Sequence, residues 1–93
     1  MAKFGKIIDS SIPTLIDFFK DNNEDSLLHD VATALGDKAK IIKIDISKNN
    51  QLVDALRIKS TPTFVIYKNS EMKWRQSGKQ DANTLIDLVE QFI

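Results

Sequence analysis

Apolar and polar residues follow one another along the chain in a pattern that predicts helices and strands in turn. Residues 4–9 carry apolar side chains three and four positions apart, the spacing of a short helix. Ser10 to Pro13 breaks this pattern, because serine and proline favour a turn. The next run, Thr14–Phe19, is apolar on both faces except for Asp17, and this predicts a buried central strand.

A second helix and a second strand are predicted after the polar stretch that begins at Lys20. The helix is expected to start near Asn23, Asp25 or Ser26, whose side-chain oxygens can cap it, and to stop at Gly36. A strand from Ala39 to Ile46 follows, with isoleucines alternating along it. The apolar stripe of the helix consists of Leu27, Leu28, Val31, Ala32 and Leu35.

The last third of the chain predicts a helix, a hairpin and a closing helix. Asn49 or Asn50 can cap a third helix. Residues 63–67 and 72–77 read as two strands joined by the turn 68–71, and Asp81 can cap the last helix. The order α-β-α-β-α-β-β-α over residues 1–93 predicts a single α/β domain, in which a mixed sheet of about four strands has helices on both faces.

Composition excludes several classes of function. The 13 lysines and arginines are balanced by 13 aspartates and glutamates, which argues against a nucleic-acid partner. No apolar run approaches the ~18 residues of a membrane span, and the first residues do not resemble a secretory signal, so we expect a cytoplasmic protein without a membrane partner. With no cysteine and one histidine, the chain lacks thiol nucleophiles and Cys-ligated or His-rich metal sites. We expect neither a metal nor a cofactor.

Several segments, in order, resemble the thioredoxin family. The run 15–19 (L-I-D-F-F) resembles the strand that leads into the thioredoxin active site, and 42–46 (I-K-I-D-I) resembles its next strand. The run 57–63 (R-I-K-S-T-P-T) resembles the segment that carries the family's cis-proline, and Lys68 to Glu71 with Gly78 resembles its hairpin and the glycine after it. The resemblance implies a thioredoxin fold over nearly the whole chain.

Two departures from that family follow from the same comparison. Too few residues precede the first helix to form the family's first strand. Thioredoxins carry W-C-G-P-C after the Asp-Phe strand, at the start of the second helix, whereas this chain has the polar segment from Lys20 to Ser26 there. These seven residues between Phe19 and Leu27 are fewer than the family uses, so the catalytic loop and the first helical turn look deleted. The chain therefore resembles a member that lacks the CxxC active site, and its dithiol–disulfide oxidoreductase activity is precluded by the absence of cysteine. We expect no catalytic residue and no enzyme.

The resemblance implies two groups of site residues. Asp17 and Lys43 match the family's buried acid and the lysine beside it. In the family this acid helps to move protons for the cysteines, and since this chain has no cysteine we interpret the pair as a remnant of that site. Thr61-Pro62 matches the cis-proline step, where the backbone before the proline pairs with an extended peptide. The predicted partner-binding residues are Lys59, Ser60, Thr61, Pro62 and Gly78; the alternative is that this loop merely turns the chain into the strand.

The missing first strand leaves the strand from Ala39 to Ile46 at an uncovered edge of the sheet. Unpaired edge strands favour pairing with another chain. A shortened connection after Phe19 favours exchange of elements between copies. We therefore predict a homodimer, formed either through this edge or through helix swapping.

The leading hypothesis from the sequence is a redox-inactive thioredoxin-like domain that acts as a protein- or peptide-binding or self-associating module. One alternative is a non-thiol activity such as glutathione binding at the proline loop, with Ser26 as a hydrogen-bond donor. Another is a degenerate thioredoxin, assigned to redox homeostasis by similarity only.

Overall fold

The computed structural model describes residues 2–20 and 25–93 and contains four helices and four strands within them. Two short 3-10 turns, Gly36–Lys38 and Ile46–Lys48, flank the second strand. The elements are α1 (Ala2–Ile8), β1 (Thr14–Phe19), α2 (Asp25–Leu35), β2 (Lys40–Asp45), α3 (Asn50–Leu56), β3 (Thr63–Lys68), β4 (Glu71–Ser77) and α4 (Ala82–Glu90).

The strands form one mixed sheet in the order β2-β1-β3-β4. Strand β1 is parallel to β2 and antiparallel to β3, and β3 is antiparallel to β4. The predicted order of elements and the predicted four-stranded mixed sheet are confirmed. Because β2 pairs only with β1 within the described residues, it is an edge strand; the homodimer through this edge or through helix swapping stays a prediction.

Two apolar cores lie on opposite faces of the sheet, because side chains alternate along each strand. Leu15 of β1 faces α2 and α4, whereas Ile16 and Phe18 face the side of α1 and α3. Buried members of the first core are Leu15, Leu28, Val31, Leu35, Ala39, Phe64, Ile66, Leu85 and Val89. Those of the second are Ile8, Ile16, Phe18, Ile44, Leu52, Ile58, Val65 and Tyr67.

The ends of two helices test the capping residues that the sequence singled out. The carboxylate of Asp81 accepts a hydrogen bond of 2.7 Å from the amide of Thr84, which confirms this cap and lowers the pKa of Asp81. Asn49 occupies the N-cap position of α3 but makes no side-chain capping bond. Its side-chain amide donates instead to the carbonyl oxygen of Asp45 at 2.8 Å, so the capping bond predicted for Asn49 or Asn50 is wrong. Of the three candidate caps of α2, Asn23 lies outside the described residues, and Asp25 and Ser26 are the first two residues of the helix.

Replacing Gly5 with alanine is expected to stabilise the protein. Gly5 is exposed within α1, and an added Cβ would meet nothing within 4 Å. Alanine restricts the unfolded chain and favours the helix, so the free energy of unfolding should rise by about 0.5–1 kcal/mol in urea denaturation. The matched control is Gly36→Ala at the end of α2, where φ is +57° and a side chain is strained. That variant should lose stability, and a loss in Gly5→Ala would contradict the expectation.

Candidate functional site

The predicted partner-binding residues come together at one end of the sheet. The carboxyl end of β1 and the amino end of β3 meet there, since Phe18 is in register with Thr63. Thr63 is in turn in register with Ser77 of β4, so the loop before β3 and the turn after β4 are neighbours. The amide of Gly78 donates to the carbonyl oxygen of Pro62 at 2.8 Å. We call Lys59, Ser60, Thr61, Pro62 and Gly78 the proline-loop site.

The proline-loop site is held by a small network of hydroxyl groups. The hydroxyl of Thr63, which is buried, donates to the carbonyl oxygen of Ser60 at 2.7 Å. It also lies 3.0 Å from the hydroxyl oxygen of Ser77. Since the Thr63 proton is directed at a carbonyl that can only accept, the Ser77 hydroxyl is the donor in that second contact. The loop is therefore tied to both of its neighbouring strands.

The backbone of Thr61 is the open part of this site. The Thr61–Pro62 peptide bond is cis. Within the described part of the chain, neither the amide nor the carbonyl of Thr61 makes a backbone–backbone hydrogen bond. Thr61 and Pro62 are half-buried, and Lys59 and Ser60 are exposed. An extended segment could thus pair with this backbone in the manner of an added strand.

A second support of the loop was not singled out in the sequence. The guanidinium of Arg75, on β4, donates to the carbonyl oxygens of Leu56 and Arg57 at the end of α3, the latter at 2.8 Å. Arg57 has a φ of 55°, which turns the chain out of the helix. Arg75 therefore fixes the point from which the proline loop departs. Only the positive φ of Arg57 marks this place, and φ cannot be read from the sequence.

The predicted remnant pair, Asp17 and Lys43, is brought together by the register of β1 and β2. The two residues are direct partners in the parallel ladder. Asp17 is 3% exposed, whereas Lys43 is exposed and its ammonium group lies 4.9 Å from the centroid of the Phe19 ring. A buried carboxylate thus lies in the central strand, next to an exposed cation. Their interpretation as a remnant stays a prediction.

The polar segment from Lys20 to Ser26, which the sequence analysis compared with the family's active-site loop, is described only at its ends. Residues 21–24 lie outside the described residues. Strand β1 ends at Phe19 and α2 begins at Asp25, so the connection between them consists of residues 20–24. Ser26, the hydrogen-bond donor in the glutathione alternative, is exposed near the start of α2.

The sequence predicts neither a metal site nor a membrane-spanning helix. Over residues 2–20 and 25–93, no group of three histidine, cysteine, aspartate or glutamate side chains is arranged to hold a metal ion. None of the helices in these ranges combines the length and the apolar character that crossing a membrane requires.

Comparisons of the sequence with known proteins point to a single family. The family model described as "Thioredoxin" matches residues 2–91. Thioredoxin Y, chloroplastic, of Oryza sativa subsp. japonica is 32% identical over 95 residues that cover 96% of this chain and 56% of that protein. The thioredoxin of Rickettsia prowazekii is 27% identical and is covered over 89% of its length, with 95% of this chain aligned. The chain thus spans just over half of the rice relative and most of the rickettsial one.

Solved structures give the same answer for the fold. A mutant thioredoxin from Halobacterium salinarum superposes with a TM-score of 0.82 at 27% identity, covering 99% of this chain and 84% of that chain. Plasmodium falciparum thioredoxin superposes with a TM-score of 0.85 at 23% identity, covering 100% of this chain and 94% of that chain. The predicted thioredoxin fold, with its mixed sheet, is confirmed.

The comparisons also correct the functional hypothesis. The sequence analysis expected a redox-inactive protein- or peptide-binding or self-associating module. The relatives are named thioredoxins, which are redox proteins, and their names give no support to a binding module. That expectation is wrong, because the chain matches redox-active thioredoxins over nearly its whole length despite its missing cysteines. Of the alternatives, the degenerate thioredoxin agrees in part with these relatives.

Proposed function

Because this chain belongs to the thioredoxin family, we propose that it is a degenerate thioredoxin that modulates the thiol–disulfide exchange carried out by redox-active thioredoxins. Disulfide exchange needs one thiolate to attack sulfur and a second thiol to resolve the mixed disulfide. The 93 residues contain no cysteine, so no step of the exchange is assigned to this chain. As a degenerate thioredoxin, it competes with redox-active thioredoxins for their disulfide-bearing clients and slows the reduction of those clients, a role inside the family's redox system and not that of an independent binding or self-associating module.

The observation that carries the proposal is the open backbone of Thr61 at the end of the sheet. The amide and carbonyl of Thr61 make no backbone–backbone bond in the described part of the chain, while Ser60 and Pro62 on either side are tied down. A fixed loop whose Thr61 amide and carbonyl have no backbone partner among the described residues suits pairing with an extended client segment. Lys59 and Ser60 are exposed beside it and leave the approach open.

Reduction of insulin disulfides by dithiothreitol, catalysed by a redox-active thioredoxin, tests this function. The chain alone should give the uncatalysed rate, because it has no thiol to enter the exchange. The chain in molar excess should lower the catalysed rate by competing for the client. Turnover by the chain alone, or a catalysed rate that the chain leaves unchanged, would overturn the proposal.

Variants of Thr61 test whether the inhibition of insulin reduction depends on the proline-loop site. Thr61→Pro removes the N–H donor at position 61, and Thr61→Arg places a bulky charged side chain beside it, so both should weaken the inhibition. Thr33→Arg is the matched control, since Thr33 is an exposed threonine on α2. Circular dichroism establishes which variants fold, and inhibition retained by a folded Thr61 variant would contradict docking at this loop.

A further inference from the structure

A cavity of about 520 Å³ lies between α1, edge strand β2 and the start of α3. We call it the α1–β2 pocket. None of the residues that line it belongs to the proline-loop site. Its volume is in the range typical of small-molecule sites. The apolar residues that line it are Phe4, Ile7, Ile42, Ile44 and Leu52.

The apolar lining of the pocket is incompletely covered by the protein itself. Ile44 and Leu52 are buried in the second core, but Phe4, Ile7 and Ile42 are only half-buried. These three pack against that core on one side and line the cavity on the other. A bound apolar group would remove this surface from water, which favours binding.

Cationic and amide groups surround this apolar floor. Lys3 and Lys48 line the pocket and are exposed. The one carboxylate in the lining, that of Asp45, accepts hydrogen bonds from the amide and the hydroxyl of Ser47 at 2.9 and 2.6 Å. These bonds lower its pKa, so Asp45 is charged at neutral pH and offsets one of the two lysines.

The other polar residues of the lining are Lys43, Asn49, Asn50 and Gln51. Lys43 also lines the pocket, but its ammonium group is directed over the ring of Phe19. The side-chain amide of Asn49 is held by the Asp45 carbonyl and keeps the wall next to α3 in place. The net charge around the opening is positive.

We propose that the α1–β2 pocket binds a small anionic molecule with an apolar body, such as an aryl sulfonate or a medium-chain carboxylate. The apolar body lies against Phe4, Ile7 and Ile42, and the anionic group lies near Lys3 and Lys48. The net positive charge favours an anion over a cationic or neutral ligand of the same shape. The proposal does not depend on the function assigned to the proline loop.

Fluorescence titration with 8-anilino-1-naphthalenesulfonate at low salt tests this site. The probe should bind the native chain saturably, and the neutral N-phenyl-1-naphthylamine should bind more weakly. The double variant Lys3→Gln/Lys48→Gln should raise the dissociation constant of the anionic probe about tenfold. The control Lys38→Gln removes one exposed lysine outside the pocket and should leave it nearly unchanged.

Amide chemical shifts in ¹H–¹⁵N spectra locate the probe independently of the variants. Shifts confined to residues 3–7 and 42–52 are expected. Shifts elsewhere, equal affinity in the double variant, or a second copy of the chain that covers β2 and excludes the probe would overturn the proposal. A Thr61→Arg variant that loses its inhibitory effect but still binds the probe would separate this site from the proline loop.

Discussion

Truncation of Phe18 to alanine is expected to lower the free energy of unfolding by about 3–5 kcal/mol. Phe18 is fully buried near the end of β1, the strand that pairs with both β2 and β3. Its ring belongs to the second core, so removing it both withdraws apolar surface from burial and leaves a cavity. Since small domains are stable by only about 5–15 kcal/mol, the variant should unfold at a much lower urea concentration.

A matched control distinguishes the loss of stability caused by removing a buried side chain from the effect of shortening an exposed one. Met72, on β4, is 42% exposed, and Met72→Ala should change the free energy of unfolding by less than about 0.5 kcal/mol. Equilibrium urea denaturation followed by the fluorescence of Trp74 measures both variants. A Phe18→Ala protein as stable as Met72→Ala would contradict the central position given to β1.

The strands were predictable where the apolar pattern is continuous. Thr14–Phe19 was predicted with the bounds that the structure has, because a run apolar on both faces has no other environment than the centre of a sheet. The second strand was predicted from Ala39 to Ile46 but runs over Lys40–Asp45. Its last predicted residue, Ile46, begins a 3-10 turn that the Asp45 carboxylate stabilises by capping the amide of Ser47. A local hydrogen bond therefore ended the strand before the apolar pattern did.

The candidate site was predictable only where residues are close in sequence or matched the family. Lys59 to Pro62 and Gly78 were named together through the resemblance, and the hydrogen bond between Gly78 and Pro62 shows why they are neighbours. The contact of Arg75 with the end of α3 joins residues 18 and 19 positions apart. The α1–β2 pocket brings Lys3 and Lys48 to the same cavity. Neither this pocket nor the Arg75 contact produces a periodic pattern in the sequence, since both depend on how the helices pack on the folded sheet.

Replacement of Asp17 by leucine is expected to raise the free energy of unfolding at neutral pH by about 1–3 kcal/mol, the usual cost of taking a polar group out of water. The Asp17 carboxyl group is 3% exposed in a strand whose first five residues are buried, and taking it out of water there costs more than its attraction to an exposed partner returns. Lys43 is exposed, so it remains hydrated when the acid is removed. Urea denaturation at pH 7 measures the change. A gain in stability is what an acid kept by ancestry alone, without a present role in the fold, should give.

Two companion variants make that result interpretable. Asp17→Asn removes the charge but keeps a buried polar group, so its gain should be smaller than that of leucine. Lys43→Gln should cost less than about 1 kcal/mol, because a solvent-exposed partner contributes little to an ion pair. If leucine at position 17 instead lowered stability, the Asp17 carboxylate would be held by contacts worth more than its desolvation. It would then be a structural element of the sheet, and the remnant interpretation of Asp17 and Lys43 would fail.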